Sequence, residues 1–364
     1  MNKVWKVVLK AVGGLLGLLL LCVAVYVVYM IVTYHRIEDR QVLEVAEPLE
    51  KKEDGALTAE VSYRVVTYNI GFGAYTPDFS FFMDGGKSSW AKSRESVIET
   101  VEGAARLVDS YEPDFVLFQE VDTDATRSYH VNENELIRQI LKEYYSAFAV
   151  NYDSSFIMYP FNQPHGSSRA GLVLYSAYPI ASSLRRSLPV STSLSKFVDL
   201  DRCYSISRIP VDNGKELVII NLHMSAYGNS DEIREGQISM LCEDMKQEYE
   251  AGNYVICGGD FNHDLKALAD DGSERATWAY PFPRENLPEH FAFCIDSFTE
   301  EERQNMWDSA RNADMEYVEG VTYTVTLDGF IVSDNIECIA YENVKTGYLY
   351  ADHDPVYMDF ILKR

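Results

Sequence analysis
Two short runs, residues 115–118 (Phe-Val-Leu-Phe) and 254–256 (Tyr-Val-Ile), are apolar at every position. A strand that reads this way is covered on both faces, so the chain must fold in layers around buried sheet. Each run ends in polar residues. The first leads into Gln119-Glu120, the second into Cys257-Gly258-Gly259-Asp260-Phe261-Asn262-His263-Asp264. The glycine pair bounds the second strand. Two residues apart, Asp260 and Asn262 point the same way if strand geometry persists. A carboxylate and a carboxamide aimed together suit activating a water and holding either that water or a phosphate oxygen. The same pair also reads as an ordinary Asp/Asn turn.

The pattern recurs along the chain. Residues 64–68 are β-rich and end at Asn69, whose amide oxygen can ligate a divalent cation or simply shape a turn. Glu120 reads as a carboxylate at the rim of a core strand, the ligand type a hard cation prefers, or as an exposed acid opening a loop. Asp212-Asn213-Gly214-Lys215 joins two β-runs, 205–211 and 216–222, as a hairpin signature. The second run leads to His223, either a core imidazole or a donor to a phosphate oxygen. Asp328 lies inside or beside the β-runs 323–325 and 329–332. Asp352-His353-Asp354-Pro355 forms a rigid turn before a last strand at 356–362. Arg169, just before a strand at 171–175, can grip a phosphate or lie on the surface. Residues 93–110, with Ser93 as cap, 134–145 and 230–249 have helical periodicity. Residues 74–93, 152–168 and 265–312 read as loops, where functional specificity collects.

Residues 12–32 form a nearly uncharged apolar run of membrane-spanning length. It is longer than a signal-peptide core and no small-residue cleavage site follows, so an uncleaved anchor is expected, with a cleaved signal as the alternative. Lys3, Lys6 and Lys10 precede it, which favours a cytoplasmic N-terminus, although Arg36 and Arg40 beyond it weaken the asymmetry. The expected organisation is a cytoplasmic N-terminus and anchor over 1–32, a polar linker over 33–60, and one extracytoplasmic catalytic domain over 61–364. The formal net charge is −24, and the first 32 residues hold no acid, so the remainder is more acidic still. Such a field opposes long polyanions and affects small phosphorylated substrates or lipid headgroups less. The six cysteines show no paired spacing and read mostly as small buried hydrophobes. No serine or cysteine nucleophile motif occurs.

Asn69, Glu120, His223, Asp260, Asn262, Asp328, Asp352 and His353 thus gather at the ends of successive apolar strands. Their motifs are Tyr-Asn-Ile at 68–70, Gln-Glu-Val at 119–121, Asn-Leu-His at 221–223, Gly-Gly-Asp-Phe-Asn at 258–262, Leu-Asp-Gly-Phe at 327–330 and Asp-His-Asp-Pro-Val at 352–356. In this order they resemble the endonuclease/exonuclease/phosphatase superfamily, which includes DNase I-like nucleases, neutral sphingomyelinases and inositol polyphosphate 5-phosphatases. The resemblance spans residues 62–364.

The resemblance implies a four-layer α/β sandwich, two packed mixed sheets with helices outside, and Mg²⁺- or Mn²⁺-dependent hydrolysis at phosphorus. It implies that Glu120 is the main metal ligand, assisted by Asn69 and Asp352. Asp260 would orient and deprotonate the attacking water, with Asn262 holding it or a phosphate oxygen. Asp328 would keep His353 charged, and His353 and His223 would stabilise the phosphoryl oxygens. His223 then needs an acidic partner that no motif supplies, and Asp153 is the candidate. The expected activity is that of a membrane-anchored phosphodiesterase. A nuclease, a sphingomyelinase- or phosphoinositide-phosphatase-like lipid headgroup hydrolase, and a non-catalytic binding protein on the same fold are the alternatives. The substrate classes left open are nucleic acid, lipid headgroup and small phosphodiester, and no obligate protein partner is evident.

Overall fold
The computed structural model describes residues 3–51, 55–197, 199–225, 231–267 and 279–364. The chain opens with helix α1 (Lys3–Thr33) and the short strands β1 (Gln41–Val42) and β2 (Val45–Ala46). Next come β3 (Ser62–Asn69), α2 (Arg94–Asp109), β4 (Phe115–Ala125), α3 (Glu133–Ile140), β5 (Tyr145–Ile157) and β6 (Gly166–Ser176). They are followed by β7 (Ser182–Ser187), β8 (Cys203–Pro210), β9 (Glu216–His223), α4 (Asp231–Glu250) and β10 (Tyr254–Asp260). Strand β11 (Phe291–Phe293), helix α5 (Glu300–Asn305), and the two-stranded ribbon of β12 (Ala310–Arg311) and β13 (Thr324–Val325) lead into the last elements. These are β14 (Asp328–Ser333), β15 (Ile336–Asn343) and β16 (Val356–Leu362).

Two seven-stranded sheets result, ordered β1-β7-β8-β9-β10-β14-β11 and β15-β16-β3-β4-β6-β5-β2. Each is mixed: β9 and β10 run parallel in the first, β3 and β4 in the second. One apolar cluster joins Val65, Leu117 and Leu174 of the second sheet to Ile219 and Ile256 of the first, and continues into Leu241 and Met245 of α4. A second cluster packs Val66 and Phe118, the alternate positions of β3 and β4, against Val97, Val101 and Ile137 of α2 and α3. The layers are therefore α4, sheet, sheet, α2 with α3, as expected for strands apolar on both faces. The sheets meet closely at Gly258, where a Cβ would lie 2.5 Å from the Phe330 ring and 2.8 Å from Leu117.

A polar pin crosses this apolar interior just below the site described next. Gln119 donates from Nε2 to Asn221 Oδ1 at 2.8 Å, and Asn221 donates from Nδ2 to the carbonyls of Phe118 and Val173. Satisfied on both sides, it costs little and fixes which residues of the two sheets face each other.

Several expectations are corrected. Residues 152–168, expected as a loop, are largely the continuation of β5 and β6, which pair to Ile157 and Gly166 across register shifts. Their Asp, Ser and Asn residues hid the strand because bulges break the alternation that marks one. The helix expected over 134–145 stops at Ile140, since Leu141 leaves helical geometry with ψ +57°. Part of the linker expected over 33–60 contributes strands: β1 pairs with β7 and β2 with β5. An ion pair and a backbone hydrogen bond tie this segment down: Asp39 accepts from Arg186, and Arg185 donates to the Glu38 carbonyl. The helix expected over 230–249 begins, among the described residues, at Asp231, and residues 268–278 of the long loop lie outside them. All six cysteines are free thiols.

Helix α1 is the one described helix long and apolar enough to cross a membrane, which by composition fits an anchor or a signal sequence. At about 1.5 Å per residue it exceeds the ~30 Å hydrocarbon core.

Candidate active site
Three neighbouring strands of the first sheet end together. In register, His223 of β9 faces Asp260 of β10, and Asp260 faces Asp328 of β14. From the second sheet, β3 ends at Asn69 beside Gln119 of β4, and the next residue is Glu120. Glu120 takes a left-handed φ of +55°, at a register shift between Phe118 and Val121. A bulge of this kind re-aims a side chain, and here it turns Glu120 from the pleat toward the first sheet. The turn before β16 adds Asp352 and His353, tied to the ribbon by pairing of His353 with Ala310.

Six of these side chains meet. Asn69 Nδ2 donates to Glu120 Oε1 at 3.2 Å and to Asp260 Oδ2 at 3.1 Å. His223 Nε2 lies 3.4 Å from Asp260 Oδ2 and 3.8 Å from Glu120 Oε1. His353 Nδ1 is 2.7 Å from Asp328 Oδ2, while its Nε2 is 3.8 Å from Asp260 Oδ2. Ser309 Oγ also donates to Asp328 Oδ2 at 2.7 Å. Asn262, itself at φ +51°, donates its backbone N–H to Asp260 Oδ1 and its side-chain Nδ2 to the Met224 carbonyl, both at 2.8 Å.

Electrostatics follow from burial. Burial raises Asp260 to about 7, the His353 charge pulling it down and Asp328 pushing it up. Asp352 is raised to about 7, again by burial, with His353 opposing and Glu120 adding to the shift. Burial alone would lower His353, but Asp328, Asp260 and Asp352 together hold it well above the ordinary imidazole range. His223 is driven well below that range by burial, then by the charges of Arg202 and His353.

These residues fit a divalent cation. Glu120 and Asp352 repel each other across the site, and Asp260 adds a third carboxylate. A small, doubly charged ion with oxygen preference relieves that excess. The floor beside Asp352 is kept open by Gly71, at φ +51°, where a Cβ would come 3.1 Å from Asp352 Oδ1 and 2.6 Å from Tyr75. Ligand atoms of Asp260, Asp328 and His353 also lie within 4.8 Å of one another. Asp328 and His353 are already committed to each other through a 2.7 Å hydrogen bond. Asn69 presents its amide nitrogen, not its oxygen, to the carboxylates, and its Oδ1 accepts from the Gly71 N–H.

Two sequence-derived candidates stand apart. Asp153, expected beside His223, pairs instead with His35 at 3.5 Å, because β5 carries it toward the segment after α1. His223 has Asp260 and Glu120 as its acidic neighbours, and its Nδ1 is unpartnered. Arg169 is exposed on β6, and among the described residues no hydrogen bond or ion pair of its side chain reaches the cluster. Sequence reasoning missed Arg202. It is 8% exposed, leaves Nε and Nη1 without partners, and acts electrostatically on His223. Only its place beside the start of β8, opposite the end of β9, reveals it. Ser309 was also missed, since no spacing ties it to Asp328.

The sequence matches the model of the Endonuclease/Exonuclease/phosphatase family over residues 66–315. No curated protein matches. Among solved structures, an endonuclease/exonuclease/phosphatase from Beutenbergia cavernae is similar at 17% identity and TM-score 0.55, covering 83% of this chain and 72% of its own. D. rerio TDP2 complexed with single-strand DNA product gives 12% identity and TM-score 0.54, covering 83% and 99%. The human Nocturnin catalytic domain with bound sulfate gives 15% identity and TM-score 0.51, covering 87% and 97%. Identities this low speak to the fold.

Proposed function
The chain belongs to the endonuclease/exonuclease/phosphatase family of phosphoester-hydrolysing enzymes, and from that footing we propose a membrane-anchored, divalent-cation-dependent phosphodiesterase with its catalytic domain outside the cytoplasm. The reading is carried by one rim on which Glu120, Asp260, His223 and His353 converge from both sheets.

In this proposal Glu120 and Asp352 would hold Mg²⁺ or Mn²⁺, which when bound supplies Lewis-acid polarisation of a phosphoryl oxygen, and Asn69, expected from the sequence as a ligand, instead orients the Glu120 and Asp260 carboxylates through its amide nitrogen. Asp260, near 7, is poised to accept the proton of the attacking water at neutral pH. Asn262 has its nitrogen occupied by Met224 and so offers its oxygen to orient that water. His353, kept charged by Asp328, and neutral His223 donate to the phosphoryl oxygens as charge gathers there. Arg202, with two unpartnered nitrogens, takes the phosphate-gripping role first assigned to Arg169.

A lipid headgroup or small phosphodiester is favoured by the charge of −24 and the apolar helix. The nuclease reading draws on the DNA product bound by the similar D. rerio TDP2. The test is a panel of plasmid DNA, sphingomyelin, inositol phosphates and bis-p-nitrophenyl phosphate, run on the full chain with and without Mg²⁺ or Mn²⁺. Turnover is expected to require the ion. Asp260→Asn should lower it by about 10³-fold with an unchanged melting curve. A rate in Asp260→Asn close to that of the parent would remove the mechanism.

A further inference from the structure
The tip of the β5–β6 hairpin exposes more apolar surface than a soluble turn needs. Phe156, Met158, Tyr159 and Phe161 are 39, 47, 61 and 85% exposed. No charged residue falls between Ser154 and Gln163.

This tip lies on α1. The Tyr26 hydroxyl donates to the Phe156 carbonyl and accepts from the Met158 N–H, both at 3.2 Å. The Tyr29 hydroxyl accepts from the Phe156 N–H at 3.0 Å, and Thr33 Oγ1 is 2.6 Å from Ser155 Oγ. As the hairpin advances from Ser155 to Met158, the contacts move back along the helix from Thr33 to Tyr26. At about 1.5 Å per residue, the tip descends ~10 Å alongside the apolar helix. That is the depth at which amphipathic elements sit in the boundary between headgroups and acyl chains, and Tyr belongs to that level.

We propose that the hairpin tip is a second membrane contact, with Phe156, Met158, Tyr159 and Phe161 entering the interfacial layer of the leaflet that α1 leaves. The inference rests on the anchor reading above. The occupant is a lipid bilayer because the exposed patch is continuous with the helix that would cross one. The patch also connects inward. Tyr159 packs on Phe82 at 5.9 Å between ring centroids, and Phe81 on Phe72 at 6.1 Å, in the aromatic wall that reaches Tyr75 beside Gly71. Docking the tip therefore sets how the catalytic rim meets the bilayer.

The experiment uses the full chain reconstituted in phosphatidylcholine/phosphatidylglycerol vesicles, with photoreactive benzoylphenylalanine placed singly at Phe161, Leu20 or Ile339. Leu20 reports on the helix, and Ile339 is 48% exposed on β15, at the edge of its sheet far from β5. Lipid adducts at Phe161 should approach those at Leu20 and exceed those at Ile339 by about tenfold, as an inserted side chain requires. Adducts at Leu20 with Phe161 no higher than Ile339 would overturn the docking tip and leave the anchor standing. Adducts at neither would overturn both. Crosslinks from Phe161 to protein alone would mark the patch as a protein contact and end the proposal.

Discussion
Arg202 and Arg169 differ in one physical respect, which is whether water already satisfies them. Arg169 is exposed, whereas Arg202 keeps two nitrogens buried without partners beside His223. Arg202→Met should therefore reduce kcat/KM by about 10–100-fold, the worth of a charge-assisted hydrogen bond, and Arg169→Met should leave it within about twofold. Steady-state kinetics on bis-p-nitrophenyl phosphate checks both. A second buried residue governs stability. Glu133 accepts from the Asp122 N–H, has Oε1 unpartnered, and is raised well above the carboxylate range by burial and then by Asp122. A raised folded value means its contribution is intact below the unfolded value of about 4.5 and lost as pH rises through the folded one. Glu133→Gln should then stabilise by about 1–2 kcal/mol near pH 8 and change little near pH 4, read as Tm against pH. The acids and imidazoles that meet at the rim were legible in the sequence because each stands at an end of an apolar strand or in the turn leading into one. Arg202 and Ser309 were not, since their relevance comes only from which strand lies beside them.

The two sheets must hold register for Glu120 to meet Asp260, and the Gln119–Asn221 pin lies one residue from Glu120 and two from His223. Asn221→Leu strands the Gln119 amide in an apolar layer and should cost about 1–3 kcal/mol. It should also lower kcat at temperatures where the variant is folded, because the two halves of the site lose their common reference. Denaturant melts and kinetics on one sample separate the effects. At this scale the sequence marked the helix at 94–109 with its Ser93 cap and the hairpin joining β8 to β9. It hid the length of β5 and β6, where bulges shift the pleat and polar residues line a long, partly solvated ribbon.

The chain carries a formal net charge of −24, and long-range charge acts on substrates before contact does. Hydrolysis of a short DNA should speed up as NaCl rises from about 20 to 200 mM, since screening weakens repulsion between like charges. A zwitterionic phosphodiester should show little change, and rates for both against salt make the check. Fold class and charge were readable at the level of the whole chain, because both are sums over many residues. The course of the segment after α1 was not, because its strands are two residues each and are held by Asp39 and Glu38 meeting arginines far along the chain. That segment has a mechanical meaning. Stitched to one sheet through β1 and to the other through β2, it leaves no slack between the proposed anchor and the catalytic body. A body on a loose cord would sweep a disc of membrane. On the proposed anchor reading this one would be held like a stylus at a set height, and a lipid-borne substrate would have to drift sideways to it within the leaflet.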